Sequence, residues 1–429
     1  MKYLPIDFSL FVQNRQRFAA KLKPNSIAVL NANDIMPTSA DGTRSFIQNT
    51  DFFYLSGINQ EESILLIFPD AHEEKHKEVL FIRETDEQIE IWEGPKYSKE
   101  EATAVSGIQT VYWTREFEKV FRALVIETER LYLNSNEHLR ADVSVESRDA
   151  RFMKWCMQSY PLHKYERLAP IMHDLRAVKS SVEVELIKQA CLITEKAFRR
   201  LLGFIRPGIW EFEIEAEIYH EFLTNRSRGP AFVPIFASGP NACILHYVQN
   251  NQQCKDGELL LMDFGAEYAN YTSDLTRTVP VNGKFSPRQK EIYNAVLRVQ
   301  RAAIQLLRPG NTFEEYHKEV ERIMESELIG LGLLDAVEVK NQNKDAPLYK
   351  KYFMHNASHY LGLDVHDFGN KYREFEEGMV FTCEPGIYIK EEAIGIRLEN
   401  DILLTRNGPV DLMENIPIVA EEIEDLMNL

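Results

Sequence analysis

Near the middle of the chain a run of apolar residues ends in a carboxylate. Leu259-Leu260-Leu261-Met262-Asp263-Phe264-Gly265 reads as a buried strand. A lone buried aspartate is costly unless it is paired or held by a cation. The following segment, Tyr271-Thr272-Ser273-Asp274-Leu275-Thr276, also has strand character and carries a second carboxylate. A turn at Tyr268-Ala269 predicts a hairpin over Glu258–Val281 with Asp263 opposite Asp274. Directly opposed side chains have Cβ atoms about 4.5–5.5 Å apart. Two ionised carboxylates at that spacing call for a cation. Tyr-Ala is a poor two-residue turn, so a longer loop that keeps the parity of the pairing is the other form this hairpin can take.

The pattern recurs further on. Phe381-Thr382-Cys383-Glu384-Pro385-Gly386 and Gly395-Ile396-Arg397-Leu398-Glu399-Asn400 both have strand character. A turn centred on Glu391-Glu392 sets Glu384 opposite Glu399. Two such hairpins brought together form a four-carboxylate cage, an approximate internal duplication of structure. Such a cage lacks a nitrogen ligand. His355, His359 and His366 lie close together in one segment, and His246 is a fourth histidine in Cys243-Ile244-Leu245-His246-Tyr247. Oxygen ligands with one imidazole suit Mn²⁺ first, with Co²⁺ or Zn²⁺ as alternatives. Several bridging ligands imply two divalent ions per chain, about 3.5–4 Å apart and holding one water.

Each part alone has an ordinary reading. A single Asp263 or Glu384 is more often a hydrogen-bonded structural acid. A lone His246 is more often a core or turn residue. His355 and His359 share an i, i+4 spacing without an H-E-x-x-H signature. Ser358, beside His359, sits in no nucleophile elbow. The conjunction of two opposed carboxylate pairs with a histidine cluster is what singles out a metal centre.

The chain has 429 residues, enough for two or three domains. In the first part, short apolar runs at Ser26–Asn31, Phe52–Leu55, Ile64–Phe68, Val79–Ile82 and Leu131–Leu133 predict strands. Leu10–Leu22 and Glu116–Val125 predict amphipathic helices, so this part reads as α/β. The boundary falls near His173, giving domains 1–172 and 173–429. Ser181, followed by Val182-Glu183-Val184-Glu185, reads as the N-cap of a long amphipathic helix. Helices at Glu211–Leu223, Pro287–Leu307 and Phe313–Leu328, with strand-like runs at Met379–Ile389 and Ile394–Leu404, make the second part α+β.

The net charge of −17 argues against nucleic acid and anionic lipid as partners. No apolar run is long enough to span a membrane. Five scattered cysteines and the lack of a secretory signal give an expectation of a cytoplasmic protein with reduced thiols.

The stretches Asn241–Tyr247, Met262–Gly265 through Asp274–Thr278, His355–Asp367, Glu384–Tyr388 and Gly395–Glu399 resemble the pita-bread metallopeptidases, in particular the aminopeptidase P family. Gln48–Gly57, and Leu175-Arg176 with Lys179-Ser180, are similar to that family's amino-terminal part and junction. The resemblance implies a creatinase-like amino-terminal α/β domain and an α+β pita-bread catalytic domain. It also implies five metal ligands: Asp263, Asp274, His359, Glu384 and Glu399. Asp274 and Glu399 would bridge both ions, Asp263 would complete one site, and His359 with Glu384 the other. Glu384 would receive the proton of the water. His246, His355 and His366 would line the cleft and stabilise the oxyanion. Arg397 would orient the carboxylates. Trp92, in Ile91-Trp92-Glu93-Gly94, matches a position that reaches a neighbouring subunit's cleft, so a homo-oligomer, dimer or tetramer, is expected.

The reaction implied is hydrolysis of the bond between any amino-terminal residue and a penultimate proline. Two alternatives stand beside it. One is an Xaa-Pro dipeptidase (prolidase). The other is a non-catalytic binding protein on the same fold, which the five retained ligands argue against. Methionine aminopeptidase shares the ligands but usually lacks so large a first domain.

Overall fold

The computed structural model describes residues 2–141 and 144–429. They divide into two compact units, Pro5–Leu175 and Arg176–Leu429, the second also taking in the amino-terminal residues up to Leu4.

The first unit is built on a six-stranded mixed sheet. Its strands run, from edge to edge, Thr110–Trp113, Glu78–Ile82, Ile64–Ile67, Ser26–Asn31, Arg130–Leu133 and Lys164–Arg167. Ser26–Asn31 pairs antiparallel with Ile64–Ile67 and parallel with Arg130–Leu133. Every residue of these two inner strands, Ser26–Asn31 and Ile64–Ile67, is buried, as uninterrupted apolar runs require. One face packs Ile27, Val29, Leu66 and Phe81 against Phe117, Phe121 and Cys156. The α/β reading of this unit therefore holds, with one correction. Phe52–Leu55 is not a strand but the centre of a short helix, Thr50–Ser56. The run is buried on every side, so it carries no periodicity that separates helix from strand. The ends decide. The Asn49 side chain accepts the N–H of Phe52 at the N-terminus, and Gly57 closes the C-terminus in the left-handed region at φ 69°.

The second unit combines long helices with short antiparallel pieces. Helices Ser181–Leu202, Glu211–Thr224, Pro287–Leu306 and Phe313–Gly330 flank two three-stranded sheets and two two-stranded ribbons. The first helix starts one residue earlier than the sequence suggests. Ser180 is its N-cap, and the capping box it forms with Glu183 satisfies two N–H groups at once. Among the described residues no helix is long and apolar enough to cross a membrane.

Candidate metal centre

The first hairpin pairs Leu259–Phe264 with Leu275–Pro280, and its tip pairs Glu267-Tyr268 with Tyr271-Thr272. The turn is Ala269-Asn270, not Tyr268-Ala269. Both residues have positive φ, 54° and 68°, as the tightest hairpin turn requires, and asparagine tolerates that region well. The register consequently moves on, and Asp263 faces Thr276 rather than Asp274. Because the shift is from one residue to its second neighbour, the parity survives and both carboxylates stay on one face. Asp274 falls in the break between the tip and the main ladder. Chain approach there is tight: a Cβ on Gly265 would lie 1.7 Å from the Ser273 carbonyl oxygen.

The second hairpin keeps the expected register. Gly386–Ile389 pairs with Ile394–Arg397, and Val380–Cys383 pairs with Asn400–Thr405, with Cys383 opposite Asn400 and Gly386 opposite Arg397. Glu384 and Glu399 sit opposite each other in the gap between these two ladders. Pro385 has no N–H to give, which fits the interruption. The two hairpins are joined where the Glu399 N–H donates to Thr276 O (3.0 Å) and the Arg397 N–H to Thr278 Oγ1 (3.3 Å).

This junction assembles the acids. The ligand atoms of Asp274, His359 and Glu399 lie within 4.8 Å of one another. His359 Nε2 is 3.5 Å from Asp274 Oδ2 and 3.7 Å from Glu384 Oε1, while its Nδ1 lies 2.9 Å from Tyr360 O. Thr276 Oγ1 donates to Glu399 Oε2 at 2.6 Å, and Arg397 donates to Asp263 Oδ2. The opposite oxygens of three carboxylates, Asp263 Oδ1, Asp274 Oδ1 and Glu399 Oε1, are buried with no hydrogen-bond partner among the described residues. Burial first, then the neighbouring Glu399, Asp263, Asp401 and Glu384, pushes the Asp274 carboxyl well above the ordinary range. Burial followed by Glu384 and Asp263 does the same to Glu399, against the pull of Arg397 and Thr276. Orphaned, crowded carboxylate oxygens around one imidazole are the donor set a hard or borderline divalent cation takes.

Arg397 is the cation built into the cage. Its burial opposes the charge, but Tyr388, Asp263, Glu399 and Glu384 hold it firmly protonated. Its Nε donates to Thr276 Oγ1 (3.1 Å) and its Nη1 to the Tyr388 hydroxyl oxygen (2.9 Å). That hydroxyl also lies 2.8 Å from His355 Nε2, and His355 Nδ1 lies 2.8 Å from Asn356 O. Burial, followed by Arg397, lowers the His355 pKa to about 4, so the ring is neutral near pH 7. A neutral ring donating from Nδ1 to Asn356 accepts the Tyr388 hydroxyl proton at Nε2. Both of its nitrogens are thus engaged within the chain. His355 Nδ1 also lies 3.8 Å from Glu384 Oε2.

His366 stacks edge to face on His359, ring centroids 4.5 Å apart. His246 is exposed, in the loop after Gly239–Cys243, and near enough to His355 to disfavour its protonation. Trp92 lies on the short helix Glu87–Glu93 of the first unit and is 81% exposed.

Tyr388 was not singled out as a functional group by sequence reasoning, although strand parity carries the signal. Residues 384, 386 and 388 share one face, and Gly386 lies opposite Arg397. A Cβ on Gly386 would meet the Tyr388 hydroxyl at 2.7 Å, so the glycine makes room for it. Thr276, two residues beyond Asp274, was missed in the same way.

The fold and this cluster define a metallopeptidase. Residues 185–406 match the model of metallopeptidase family M24, and residues 11–132 match the aminopeptidase P N-terminal domain. The chain belongs to family M24 and has the pita-bread catalytic fold; it is a hydrolase that uses divalent metal. Its relatives carry a more particular name. It is 37% identical to the Xaa-Pro aminopeptidase of Escherichia coli, over 97% of each chain. It is 32% identical to Xaa-Pro aminopeptidase 3 of Homo sapiens, over 90% of this chain and 78% of that one. Among solved structures, Pseudomonas aeruginosa aminopeptidase PepP superposes with a TM-score of 0.90 at 34% identity, covering 99% of this chain and 98% of that one. Zinc-substituted E. coli aminopeptidase P in complex with product gives 0.87 at 36% identity, covering 99% of each.

Proposed function

We propose that this enzyme removes the amino-terminal residue from peptides whose second residue is proline. The observation that carries the reading is the group of Asp274, His359 and Glu399, with ligand atoms within 4.8 Å of one another, together with one buried, unsatisfied oxygen on each of Asp263, Asp274 and Glu399, in a chain similar to an Xaa-Pro aminopeptidase over 97% of its length.

Asp263, Asp274, His359, Glu384 and Glu399 would hold two divalent ions, Mn²⁺ ahead of Co²⁺ or Zn²⁺ on the basis of the oxygen-rich donor set. When bound, such ions polarise the scissile carbonyl and lower the pKa of a water to near neutrality. The chain's own residues do the rest. Glu384, the most accessible of the carboxylates in these contacts with side-chain exposure of 18%, receives the proton of the attacking water at its carboxylate. His366 and His246 donate to the carbonyl oxygen as negative charge develops there. His355 fixes the Tyr388 hydroxyl, and through it Arg397, which holds Asp263 in place. The bond cut is a tertiary amide. Proline offers no N–H to grip, so the site recognises the ring by its shape.

Ile91 and Trp92 form an exposed apolar pair on the first unit, 79% and 81% accessible. A neighbouring copy covers them in the dimer or tetramer we propose, and light scattering checks that assembly.

The test is a pair of matched tripeptides, Xaa-Pro-Yaa and Xaa-Ala-Yaa, given to the Mn²⁺-loaded enzyme. Release of Xaa from the first alone supports the reading. Equal release from both contradicts proline specificity.

A further inference from the structure

The segment carrying His359 and His366 is a loop closed by one backbone hydrogen bond, from the Asp367 N–H to Tyr360 O at 2.9 Å. Each histidine immediately precedes one partner of that bond, which brings their rings together. The two sides are anchored differently. On the His359 side, the His359 N–H donates to Thr382 Oγ1 (3.1 Å) and its carbonyl accepts the Thr382 N–H (3.0 Å). That side is therefore stitched to strand Val380–Cys383.

On the His366 side the anchor is ionic. Asp367 Oδ1 accepts from Arg176 Nη2 (2.6 Å) and from the Phe368 N–H (2.8 Å), and Oδ2 accepts from Lys179 Nζ (3.2 Å). The side chains of Arg176, Lys179 and Asp367 are all 1% exposed. Arg176 Nη2 also reaches Asp364 Oδ2 (2.6 Å), and its guanidinium lies 4.9 Å over the ring of Phe368. Space around the carboxylate is filled: a Cβ on Gly362 would lie 2.1 Å from Asp367 Oδ2 and 2.9 Å from Lys179 Cε.

Burying three charges is a poor way to gain stability, because desolvation offsets most of the attraction and apolar residues of similar volume serve as well. What such a network does supply is direction. Two cations on one carboxylate fix the backbone of the residue directly after His366.

We propose that the buried triad Arg176–Asp367–Lys179 is a positioning device for His366, setting its ring against His359 where it meets the substrate carbonyl. The proposal rests on the reading of His366 as a substrate-facing histidine. Asp367 touches no substrate and acts only through its neighbour.

The experiment is a double-mutant cycle on the Mn²⁺-loaded full chain, reading kcat, KM, metal content and melting temperature for Asp367→Asn, His366→Ala and both together. Asp367→Asn should lower kcat by about 10- to 100-fold, with KM and metal content unchanged, since His359 keeps its own anchor. In the His366→Ala background the same substitution should lower kcat by less than about twofold, because the group it positions is gone. Lys179→Met, which leaves the Arg176–Asp367 pair intact, should show the same coupling to His366 with a smaller loss. A loss of equal size in both backgrounds, a loss of metal from Asp367→Asn, or an unchanged kcat overturns the proposal. So does failure of both Asp367→Asn and Lys179→Met to fold, which would make the triad a stability element. If His366→Ala alone leaves kcat unchanged, the reading of His366 has failed first, and the positioning proposal falls with it.

Discussion

Arg397 donates to one oxygen of Asp263 and leaves the other, Oδ1, with no hydrogen-bond partner among the described residues. The same half-satisfied state recurs at Glu399, where Thr276 takes Oε2 and Oε1 is left over. Each of these acids thus keeps one buried oxygen whose acceptor capacity no hydrogen bond among the described residues uses. That arrangement makes metal loading the first thing to measure.

Purified protein should carry close to two divalent ions per chain by elemental analysis. A chelator should silence it, and Mn²⁺ should restore it best. Removing the ions should also lower the melting temperature, since a ligand that binds only the folded cage stabilises it by mass action. Full activity in metal-free protein contradicts the account.

Substitutions should separate the groups that hold metal from those that serve the reaction. Asp274→Ala and Glu399→Ala should lose metal and activity together, because their orphan oxygens are the cage. His366→Ala and His246→Ala should keep metal while kcat falls by about 10²–10³, the loss typical of an oxyanion donor. Elemental analysis beside steady-state kinetics decides each case. An empty site in His366→Ala would mean that the histidines are wrongly divided.

Tyr388→Phe should lower kcat by about 10- to 100-fold with metal content unchanged. The hydroxyl bridges His355 and Arg397 by hydrogen bonds, and the phenyl ring keeps the packing. An unaltered kcat would show that Arg397 holds Asp263 without this support.

Much of this centre was legible in the sequence, for reasons that particular residues show. The opposition of Glu384 and Glu399 followed from alternation in two clean strands, and the pairing of Cys383 with Asn400 bears it out. The first hairpin was read one turn position early, because Ala269 carries no mark of a left-handed conformation and only Asn270 hints at it. Phe52–Leu55 was misread because a fully buried run has no face to betray its period. The His355–Tyr388–Arg397 chain joins a loop to two strands, and single-strand patterns do not show which hydroxyl meets which ring.

Stability of the first unit should depend on pH through Asp149. This carboxyl is buried in helix Arg148–Ser159, and burial, opposed by the Asn31 hydrogen bond and aided by Asp51, raises its pKa to about 7. The unfolded value is about 3.9. A raised carboxyl pKa means that the folded state binds the proton more tightly. Its contribution is fully present below the unfolded value and is lost as pH rises to about 7. Asp149→Asn keeps an acceptor for Asn31 Nδ2, which donates to Oδ1 at 2.8 Å. It should raise the melting temperature by about 2–4 °C or more at pH 8, and by less at pH 5. Equal shifts at the two pH values would contradict the assignment.

The central claim concerns which peptides are cut, and substrate length tests it most directly. An aminopeptidase fixes the free amine and leaves the other end of its cleft open, whereas a dipeptidase closes that end, usually on the substrate's carboxylate. The measurement is kcat/KM of the Mn²⁺-loaded enzyme for an Xaa-Pro dipeptide, an Xaa-Pro-Yaa tripeptide and the same tripeptide with an amidated carboxy terminus. The account predicts that the tripeptide is cut between Xaa and Pro and that amidation changes kcat/KM little. Cleavage confined to the dipeptide, or abolished by amidation, would contradict it.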